Sequence, residues 1–375
     1  MNYTIIKEVS ELERVCKQAR EQEVVMLDTE FVRIRTFYPQ LGLIQLYDGR
    51  EVSLIDPLVL SDMSAFVNLL QDSSVLKVLH ACGEDLEVFY NSFGCLPEPF
   101  VDTQIMAAFL GYGLSTGFAV LVNEFVGVEL DKSESRADWL ARPLTDKQLE
   151  YAAGDVYYLL PVYEHLKAKT NQAGWQQAVL DESKQQAEKR IADYNIDNAY
   201  LDVKGAWQLN RKQLSTLKLL ASWRYREAVK RDLALNFVVK EQDLLTISKQ
   251  GLVNPKRMED VCIDIRSIRR HGNTISQLVS KSYKLPEDSY PELIIPIHDY
   301  SGYKPLFKQL KEEVKKVSDK TGLATEFLAS KKQLNQLISW VWKSDRTSES
   351  VPDLMKNWRK ALLGDALDRM INSRS

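Results

Sequence analysis

The sequence has little cysteine and no long hydrophobic run. Its four cysteines are scattered over 375 residues without a CxxC pair, which excludes a disulfide framework and argues against a zinc site. No apolar stretch approaches the roughly 18 residues needed to cross a bilayer, and Lys7, Glu8 and Glu11 lie where a signal peptide would need an apolar core. The sequence therefore predicts a cytoplasmic protein without membrane association.

The composition is not extreme, but the charges are unevenly distributed. Hydrophobic residues make up 45% of the chain and charged residues 27%, with a net charge of -3, which predicts two or three globular domains. Residues 1–170 hold 14 basic and 26 acidic side chains, a net charge of -12, whereas the remainder holds 35 and 26, a net charge of +9. This asymmetry predicts an acidic metal site joined to a surface that attracts polyanions, although unevenly charged solvated faces give the same counts.

The first 170 residues alternate strand and helix patterns. Three consecutive antiparallel strands are predicted at 23–31, 41–47 and 52–55, with a turn at Asp48-Gly49. Helices are predicted at 62–71, 84–93 and 146–168, and short strands at 75–79 and 100–101. The pattern predicts an α/β domain, a mixed sheet flanked by helices, over residues 1–170.

From about residue 175 onward, only helical patterns are present. A shift of 90 positions places Leu233, Ala234, Phe237, Leu244 and Ile247 on Leu323, Ala324, Phe327, Leu334 and Leu337. Two small all-α domains, at 205–290 and 295–375, would explain this repeat and would follow a linker helix and loop at 171–204. Chance recurrence of helical spacing is the alternative.

Two carboxylates end an apolar strand in the segment VVMLDTEF, residues 24–31. Residues two apart in a strand point to the same face, so Asp28 and Glu30 form a pair. Charge beside a buried run is costly unless a cation is bound, although a lone DxE pair is also typical of exposed strand ends.

Three further side chains are candidates for the same site. Asp85, in HACGEDLE at 80–87, lies where a strand ends and a helix begins, a position where an aspartate often only caps the helix. Tyr151 and Asp155, in EYAAGDV at 150–156, lie four residues apart on one helix face, as an ordinary surface pair also would.

Four converging carboxylates would need counter-charge. Each close pair costs on the order of 4 kcal/mol at about 4 Å and an effective dielectric constant near 20. Two divalent cations would cancel the four charges, and carboxylate oxygens suit Mg²⁺ or Mn²⁺. Because two such ions stabilise both oxygens in phosphodiester cleavage, the residue types predict phosphoryl chemistry.

Taken in order, DTE, HAxxEDLE and YAAxDVxYL resemble the motifs of the DEDD superfamily of 3'-to-5' exonucleases, and the tyrosine resembles that of its tyrosine subclass. Longer blocks are similar to the bacterial ribonuclease D family: DTEFVR at 28–33, YPQLGLIQ at 38–45, and LDKSESR through DWLARPL at 130–144. The helical half is similar to helicase-and-RNase-D C-terminal (HRDC) domains, in two copies.

This resemblance implies an RNase H-like fold that removes nucleotides one at a time from RNA 3' ends, with tRNA precursors as the usual substrate and 5'-mononucleotides as products. It assigns metal binding to Asp28, Glu30, Asp85 and Asp155, and positioning of the attacking water to Tyr151. Since an unperturbed tyrosine pKa is near 10, Tyr151 is expected to orient the water rather than to take its proton.

A single-stranded RNA end requires aromatic surfaces and cations. Candidate contacts near the motifs are Thr29, Phe31, Gln45, His80, Lys132 and Arg136. Further candidates are Arg33, Arg35, Phe37, Tyr38 and Arg142, and, in the helical half, the bases Arg224, Lys230 and Arg231, which are expected to be exposed beside a packed Trp223. Each candidate also has an alternative interpretation. The aromatic residues could belong to the core, His80 could have a structural role, and the charged side chains of the loop could simply be solvated.

Two other functions fit part of this evidence. A DNA 3'-to-5' exonuclease of the same superfamily would use the same metal chemistry, and a noncatalytic nucleic-acid-binding adaptor would keep the fold. No obligate protein partner is inferred.

Overall fold

The computed structural model describes residues 2–131, 133–343 and 351–372. Contacts divide the chain into a first unit of Met1–Val32, Pro39–Ala192 and Ser301–Ser375, and a second unit of Arg33–Tyr38 and Asp193–Tyr300. No helix in the described ranges is long and apolar enough to span a bilayer.

A six-stranded mixed sheet forms the centre of the first unit. In chain order its strands are β1 (Tyr3–Ile6), β2 (Val24–Val32), β3 (Gln40–Tyr47), β4 (Val52–Ile55), β5 (Leu76–Leu79) and β6 (Phe100–Asp102). The spatial order is β1-β4-β3-β2-β5-β6, in which β3 is antiparallel to β2 and β4 while the other pairings are parallel. The predicted antiparallel meander and the mixed sheet are therefore confirmed.

Eight helices of the first unit precede residue 192. They are α1 (Val9–Ala19), α2 (Ser64–Leu70), α3 (Gly83–Phe93), α4 (Thr103–Phe109), α5 (Phe118–Val126), α6 (Asp146–Tyr157), α7 (Leu159–Gln172) and α8 (Gln176–Ile191). Apolar side chains of α1, α2 and α3 form one core with Leu27 of β2 and Ile44 of β3. Because side chains alternate along a strand, Asp28 and Glu30 lie on the opposite face of β2, and α6 packs against β2, β3 and β4.

The predicted helix at 146–168 is wrong as a single element. The chain forms α6 and α7, which meet at Tyr158. Pro161 explains the break, because it has no N–H to donate to the carbonyl of Tyr157 and its ring disfavours a helix interior, whereas the first turn of α7 tolerates it. The sequence pattern also did not predict β1 and α1.

The C-terminal helices of the first unit pack against its earlier ones. These helices are α14 (Tyr303–Thr321), α15 (Thr325–Leu328), α16 (Lys331–Lys343), α17 (Asn357–Arg359) and α18 (Asp365–Asn372), with a π-helical turn at Lys360–Gly364 and a 3₁₀ turn at Asp353–Met355. The ring of Phe109 on α4 contacts Phe327 and Trp358 edge-on, each at 4.8 Å between centroids. Buried Arg359 donates from both terminal nitrogens to Glu182 on α8, and its Nε donates to the Leu328 carbonyl at 3.2 Å.

We expect the Arg359→Met variant to lose roughly 3 kcal/mol of unfolding free energy, because the carboxylate of Glu182, whose side chain is only 15% exposed, would lose its countercharge. Urea unfolding followed by tryptophan fluorescence would measure the loss. The double variant Arg359→Met/Glu182→Leu should be more stable than the single variant, since it leaves no unpaired charge. Lys315→Met, which breaks an exposed pair with Asp319 on α14, should cost less than about 1 kcal/mol. Equal losses for Arg359→Met and Lys315→Met would show that the pair of Arg359 and Glu182 contributes no more to the free energy of unfolding than an exposed pair.

The second unit is helical. It contains α9 (Arg211–Arg231), α10 (Leu235–Val238), α11 (Glu241–Gln250), α12 (Pro255–Asp260) and α13 (Ile265–Ser282), with 3₁₀ turns at Ile196–Asn198, Ala206–Gln208, Glu287–Ser289 and Ile297–Asp299. Trp223 packs against its core as predicted. The predicted exposure of Arg224 is wrong: this side chain is buried and donates to the Val239 carbonyl, whereas Lys230 and Arg231 are exposed.

Segment 33–38, which directly follows β2 in the chain, folds with this helical unit. The carboxylate of Asp232 accepts hydrogen bonds from the backbone N–H groups of Phe37 at 3.0 Å and Tyr38 at 2.9 Å. The Phe37 ring contacts Tyr225 edge-on at 5.3 Å. Phe37 is therefore a packing residue of the helical unit, in agreement with the core-packing interpretation.

The internal repeat corresponds to repeated structure. Ala234 and Ala324 are each the N-cap of a four-residue helix, α10 and α15, and a longer helix follows each, α11 and α16. Phe237 and Phe327 occupy the same place in these short helices, but Phe327 is buried whereas Phe237 is 50% exposed.

Candidate active site

Strand β2 and helix α6 bring three carboxylates together. One oxygen from each of Asp28, Glu30 and Asp155 lies within 4.8 Å of the others, a group that could hold a metal ion. Asp28 and Asp155 are half-buried and Glu30 is buried. The prediction that residues 28, 30 and 155 converge is therefore supported by the geometry, while their catalytic roles stay a prediction.

Helix α6 is placed by its start and by small side chains. Thr145 and Gln148 form a capping box at its N-terminus, which satisfies the first free N–H groups. Buried Ala152 and Ala153 are small, and α6 packs directly against β2, β3 and β4, so that Asp155 reaches the carboxylates of β2.

Tyr151, one turn before Asp155, donates its hydroxyl hydrogen bond to that carboxylate. Its ring lies 6.1 Å from the ring of buried Trp139. Trp139 in turn requires Gly42 on β3, because a Cβ at position 42 would lie 2.5 Å from the Trp139 carbonyl oxygen. Trp139 and Gly42 both lie within the longer sequence motifs, but no spacing in the sequence indicated that they pack together beside Tyr151.

Asp85 enters the site from the first turn of α3, where it is buried. The Thr29 hydroxyl donates a short hydrogen bond to its Oδ1. Asp85 is not one of the three groups within 4.8 Å, but its charge raises the pKa of Asp28, Glu30 and Asp155. The threonine of the DTE motif thus orients the fourth carboxylate.

The four carboxyl groups are poorly solvated and repel one another. Burial is the largest cause of raised pKa values, and it moves Glu30 to about 9, Asp155 to about 7 and Asp85 to about 6. The pKa of Asp28 is also well above its usual range, through burial and then the charges of Asp85, Asp155 and Glu30. Oxygen ligands with unbalanced negative charge fit Mg²⁺ or Mn²⁺.

Burial also raises the pKa of Tyr151, and the charges of Asp155, Glu30 and Asp28 add to the increase. The phenol is therefore a neutral hydrogen-bond donor at any physiological pH. A neutral phenol can orient water but cannot take its proton, and this role of Tyr151 stays a prediction.

These pKa values predict how pH changes metal stabilisation. The folded-state pKa values of Glu30 and Asp155 lie above the unfolded values near 4, so without metal the free energy of unfolding falls as pH rises from about 4 toward 9. Divalent cations bind the ionised groups, so the increase in Tm on adding Mg²⁺ or Mn²⁺ should be larger at about pH 8.5 than at about pH 5.5. Thermal unfolding in EDTA and in metal would measure it. An equal increase in Tm at both pH values would contradict the assignment of these carboxylates as metal ligands. So would a Glu30→Gln variant in which the increase in Tm depends on pH as it does in the wild type.

Two predicted substrate contacts, Gln45 and His80, have buried polar side-chain atoms without a hydrogen-bond partner in the part of the chain that the structure describes. Gln45 on β3 is the cross-strand partner of Asp28 and is fully buried, and neither polar atom of its amide has a hydrogen-bond partner among the described residues. His80 follows β5, and its Nδ1 lies 2.9 Å from the Thr103 hydroxyl, whereas its buried Nε2 has no such partner. Both remain predictions as substrate contacts.

The other predicted contacts differ in placement. Phe31 is half-buried on β2 beside a bulge between Glu30 and Phe31. Arg136 is exposed in the loop before α6, and Lys132 lies outside the described residues. The proposed phosphate contact Arg142 is better explained as a brace: its guanidinium binds both carboxylate oxygens of Asp56 at 2.7 Å and the Gly42 carbonyl at 2.6 Å.

A cleft of about 260 Å³ opens beside Tyr151 and Asp155. Asp131, Glu134 and Glu150 also line it. No pattern in the sequence had identified these three acidic side chains as neighbours of the site.

Comparisons with known proteins relate the whole chain to ribonuclease D. Residues 3–171 match the 3'-5' exonuclease family, residues 213–279 the HRDC domain, and residues 301–367 the C-terminal HRDC domain of ribonuclease D. The chain is 46% identical to ribonuclease D of Escherichia coli K12, over 99% of both chains, and 47% identical to that of Musicola paradisiaca, over 98% of both.

Solved structures give the same result. The crystal structure of Escherichia coli RNase D, an exoribonuclease involved in structured RNA processing, matches with a TM-score of 0.95 at 45% identity, covering 100% of this chain and 99% of the other. The catalytic core of RRP6 from Trypanosoma brucei shares the fold, with a TM-score of 0.63 at 21% identity. Exonucleases of this superfamily use divalent metal ions, and the trio of Asp28, Glu30 and Asp155 could bind one. The chain therefore belongs to the ribonuclease D family of 3'-to-5' exoribonucleases.

Proposed function

We propose that this enzyme removes extra nucleotides from the 3' ends of tRNA precursors and releases 5'-mononucleotides by two-metal-ion hydrolysis. The observation that carries this proposal is the convergence of Asp28, Glu30 and Asp155, with Asp85 close enough to raise their pKa values. A cluster with this much unbalanced negative charge requires cations.

Asp28, Glu30, Asp85 and Asp155 would hold two divalent cations, Mg²⁺ or Mn²⁺. When bound, these ions would make water a better nucleophile and neutralise charge on the phosphodiester. The chain's own contribution is geometric. Thr29 fixes the Asp85 carboxylate, and the short spacing of Asp28 and Glu30 on one strand keeps both on the same face.

Tyr151 would position the attacking water. Its O–H is already donated to Asp155, which leaves the lone pairs of the phenolic oxygen to accept a hydrogen bond from water. A phenol that stays protonated cannot take the proton itself, so Tyr151 fixes direction and distance.

The tRNA assignment is supported by family membership and by the positive charge of the helical half. A tRNA with a single-stranded 3' extension should be shortened one nucleotide at a time in Mg²⁺ or Mn²⁺, whereas a DNA of the same sequence should be degraded much more slowly. Equal rates on RNA and DNA would favour the DNA exonuclease alternative. Tight binding of the tRNA without metal-stimulated turnover would favour a noncatalytic adaptor.

We also propose a division of the chain into domains. Residues 1–170 would form the catalytic domain, 171–204 a linker helix and loop, and 205–290 and 295–375 two HRDC domains. Ser183 and Ala187 of α8, within the proposed linker, are buried against the catalytic unit. We propose a cytoplasmic location and no obligate protein partner.

A further inference from the structure

The helical unit of residues 193–300 has a groove of about 920 Å³ beside α10, α11 and the start of α13, which we call the α10–α13 groove. Five cationic side chains line it: Arg35, Lys204, Lys240, Arg266 and Arg270. Arg266 and Arg270 are exposed and lie four residues apart on α13, so they point to the same side of the helix. The size is at the upper end of ordinary ligand sites.

The acidic side chains of the groove are already engaged in local bonds. Asp264 caps α13 by accepting from the backbone N–H groups of Arg266 at 2.9 Å and Ser267 at 3.1 Å. Glu241 accepts from the backbone N–H of Lys204 at 2.9 Å. With five cations and two carboxylates, the lining carries net positive charge that favours a polyanion.

Phe237 gives the groove an aromatic surface. Its ring is 50% exposed, and the Arg35 guanidinium lies 5.9 Å from the ring centre, the outer limit of a cation–π contact. At the equivalent position of the internal repeat, Phe327 has the Arg359 guanidinium 5.7 Å from its ring centre and is covered by the ring of Phe109 at 4.8 Å. The two copies thus share an arginine beside a phenylalanine, but in the first copy the ring remains open to an aromatic ligand.

Arg35 is held in the groove by the backbone around it. Its carbonyl accepts from the N–H of Ala234 at 2.8 Å, and Asp232 holds Phe37 and Tyr38 two and three residues further on. Arg35 is also the fifth residue after Glu30 in the sequence, so the groove is joined to the catalytic strand by a short covalent segment.

We propose that the α10–α13 groove binds a single-stranded portion of the RNA substrate, with a base stacked on Phe237 and phosphates paired with Arg35, Arg266 and Arg270. Open aromatic surface and clustered cations together match a nucleotide chain, in which flat bases alternate with charged phosphates. The proposal rests on the RNA substrate of the proposed function and adds a second contact site to it.

Binding to the full-length protein in EDTA tests the groove without catalysis. The probe is a fluorescein-labelled single-stranded RNA of about 12 nucleotides, followed by anisotropy across a salt series. Phe237→Ala should raise Kd about tenfold through loss of stacking. Arg266→Gln/Arg270→Gln should reduce the slope of log affinity against log salt by about 1.4, because each phosphate contact on a single strand contributes about 0.7.

Matched controls are available on the same unit. Tyr283 is 43% exposed, and Lys281 and Lys284 are exposed, and none of the three lines the groove. Tyr283→Ala and Lys281→Gln/Lys284→Gln should each leave Kd within about twofold of wild type. Wild-type affinity in Phe237→Ala, equal losses in the control variants, or displacement of the RNA by poly-glutamate as effectively as by unlabelled RNA would overturn the proposal.

Failure of the proposed function would appear separately. The binding assay contains no metal, whereas the proposed function is tested by the metal-stimulated release of nucleotides from an RNA 3' end and by the preference for RNA over DNA. If the wild-type enzyme hydrolysed RNA and Phe237→Ala bound RNA as tightly as the wild type, only the proposal for the α10–α13 groove would be overturned.

Discussion

Replacing Asp28 by asparagine is expected to lower metal-stimulated RNA hydrolysis by at least about 10³-fold. The substitution keeps the size of the side chain but removes one of three carboxylates whose oxygens lie within 4.8 Å of one another. The same change should stabilise the metal-free protein, because burial and three neighbouring carboxylates make the charge of Asp28 unfavourable. Loss of activity with a gain of stability is the signature of a site maintained for function.

Initial rates on a 3'-labelled RNA and urea unfolding in EDTA would measure the two effects of Asp28→Asn. Glu164→Gln, which changes an exposed carboxylate on α7 of the same unit, is the matched control and should alter neither quantity appreciably. If Asp28→Asn retained most of the activity, or destabilised the metal-free protein, Asp28 would not be a metal ligand in a strained acidic cluster.

Replacing Tyr151 by phenylalanine should lower kcat by about 10²-fold and leave KM nearly unchanged. The variant loses the hydroxyl that is bonded to Asp155, and with it the acceptor proposed to hold the attacking water. The pH dependence of kcat should keep its shape, because the raised pKa of Tyr151 means that the phenol does not titrate in the working range.

The pH profile separates the two possible roles of Tyr151. If the phenol were the general base rather than a group that orients water, Tyr151→Phe would remove one ionisation from the profile of kcat. Tyr157→Phe is the matched control, since Tyr157 is 39% exposed at the end of the same helix. Its kcat should remain within about twofold of wild type.

Local sequence patterns identified the central parts of the catalytic unit. The apolar run that ends at Asp28 and Glu30 predicted β2, and the turn at Asp48-Gly49 predicted the antiparallel pairing of β3 and β4. β1 was not predicted because its four residues lack a distinctive pattern and pair with β4, some 50 positions away. A parallel pairing of this kind leaves no local turn signal.

The supporting contacts of the site could not be read from the sequence. Thr29 stays a predicted substrate contact, but nothing in the sequence indicated that its hydroxyl donates to Asp85. Arg142 was predicted to contact phosphate, yet it binds Asp56, 86 positions earlier. Both contacts join segments far apart in the chain, so neither position reveals its partner through spacing.

The internal repeat shows the same limit in the helical half. A shift of 90 positions correctly aligned α10 with α15, because helical spacing and N-cap positions are local features. It gave no sign that Phe327 would be buried against Phe109 while Phe237 remained exposed. That difference depends on which surface lies opposite each copy, which the repeat itself does not contain.

Product analysis on a single RNA tests most directly whether the acidic cluster is the metal-dependent catalytic centre. The wild-type enzyme would be stripped of metal with EDTA and then supplied with a single-stranded RNA labelled on its 3'-terminal nucleotide, with Mg²⁺, Mn²⁺ or no metal added. We predict that labelled 5'-mononucleotide is the first product, that it forms only when metal is present, and that Asp28→Asn forms almost none. Release of the label in longer fragments, or at equal rates with and without metal, would contradict a metal-dependent 3'-to-5' exonuclease centred on these carboxylates.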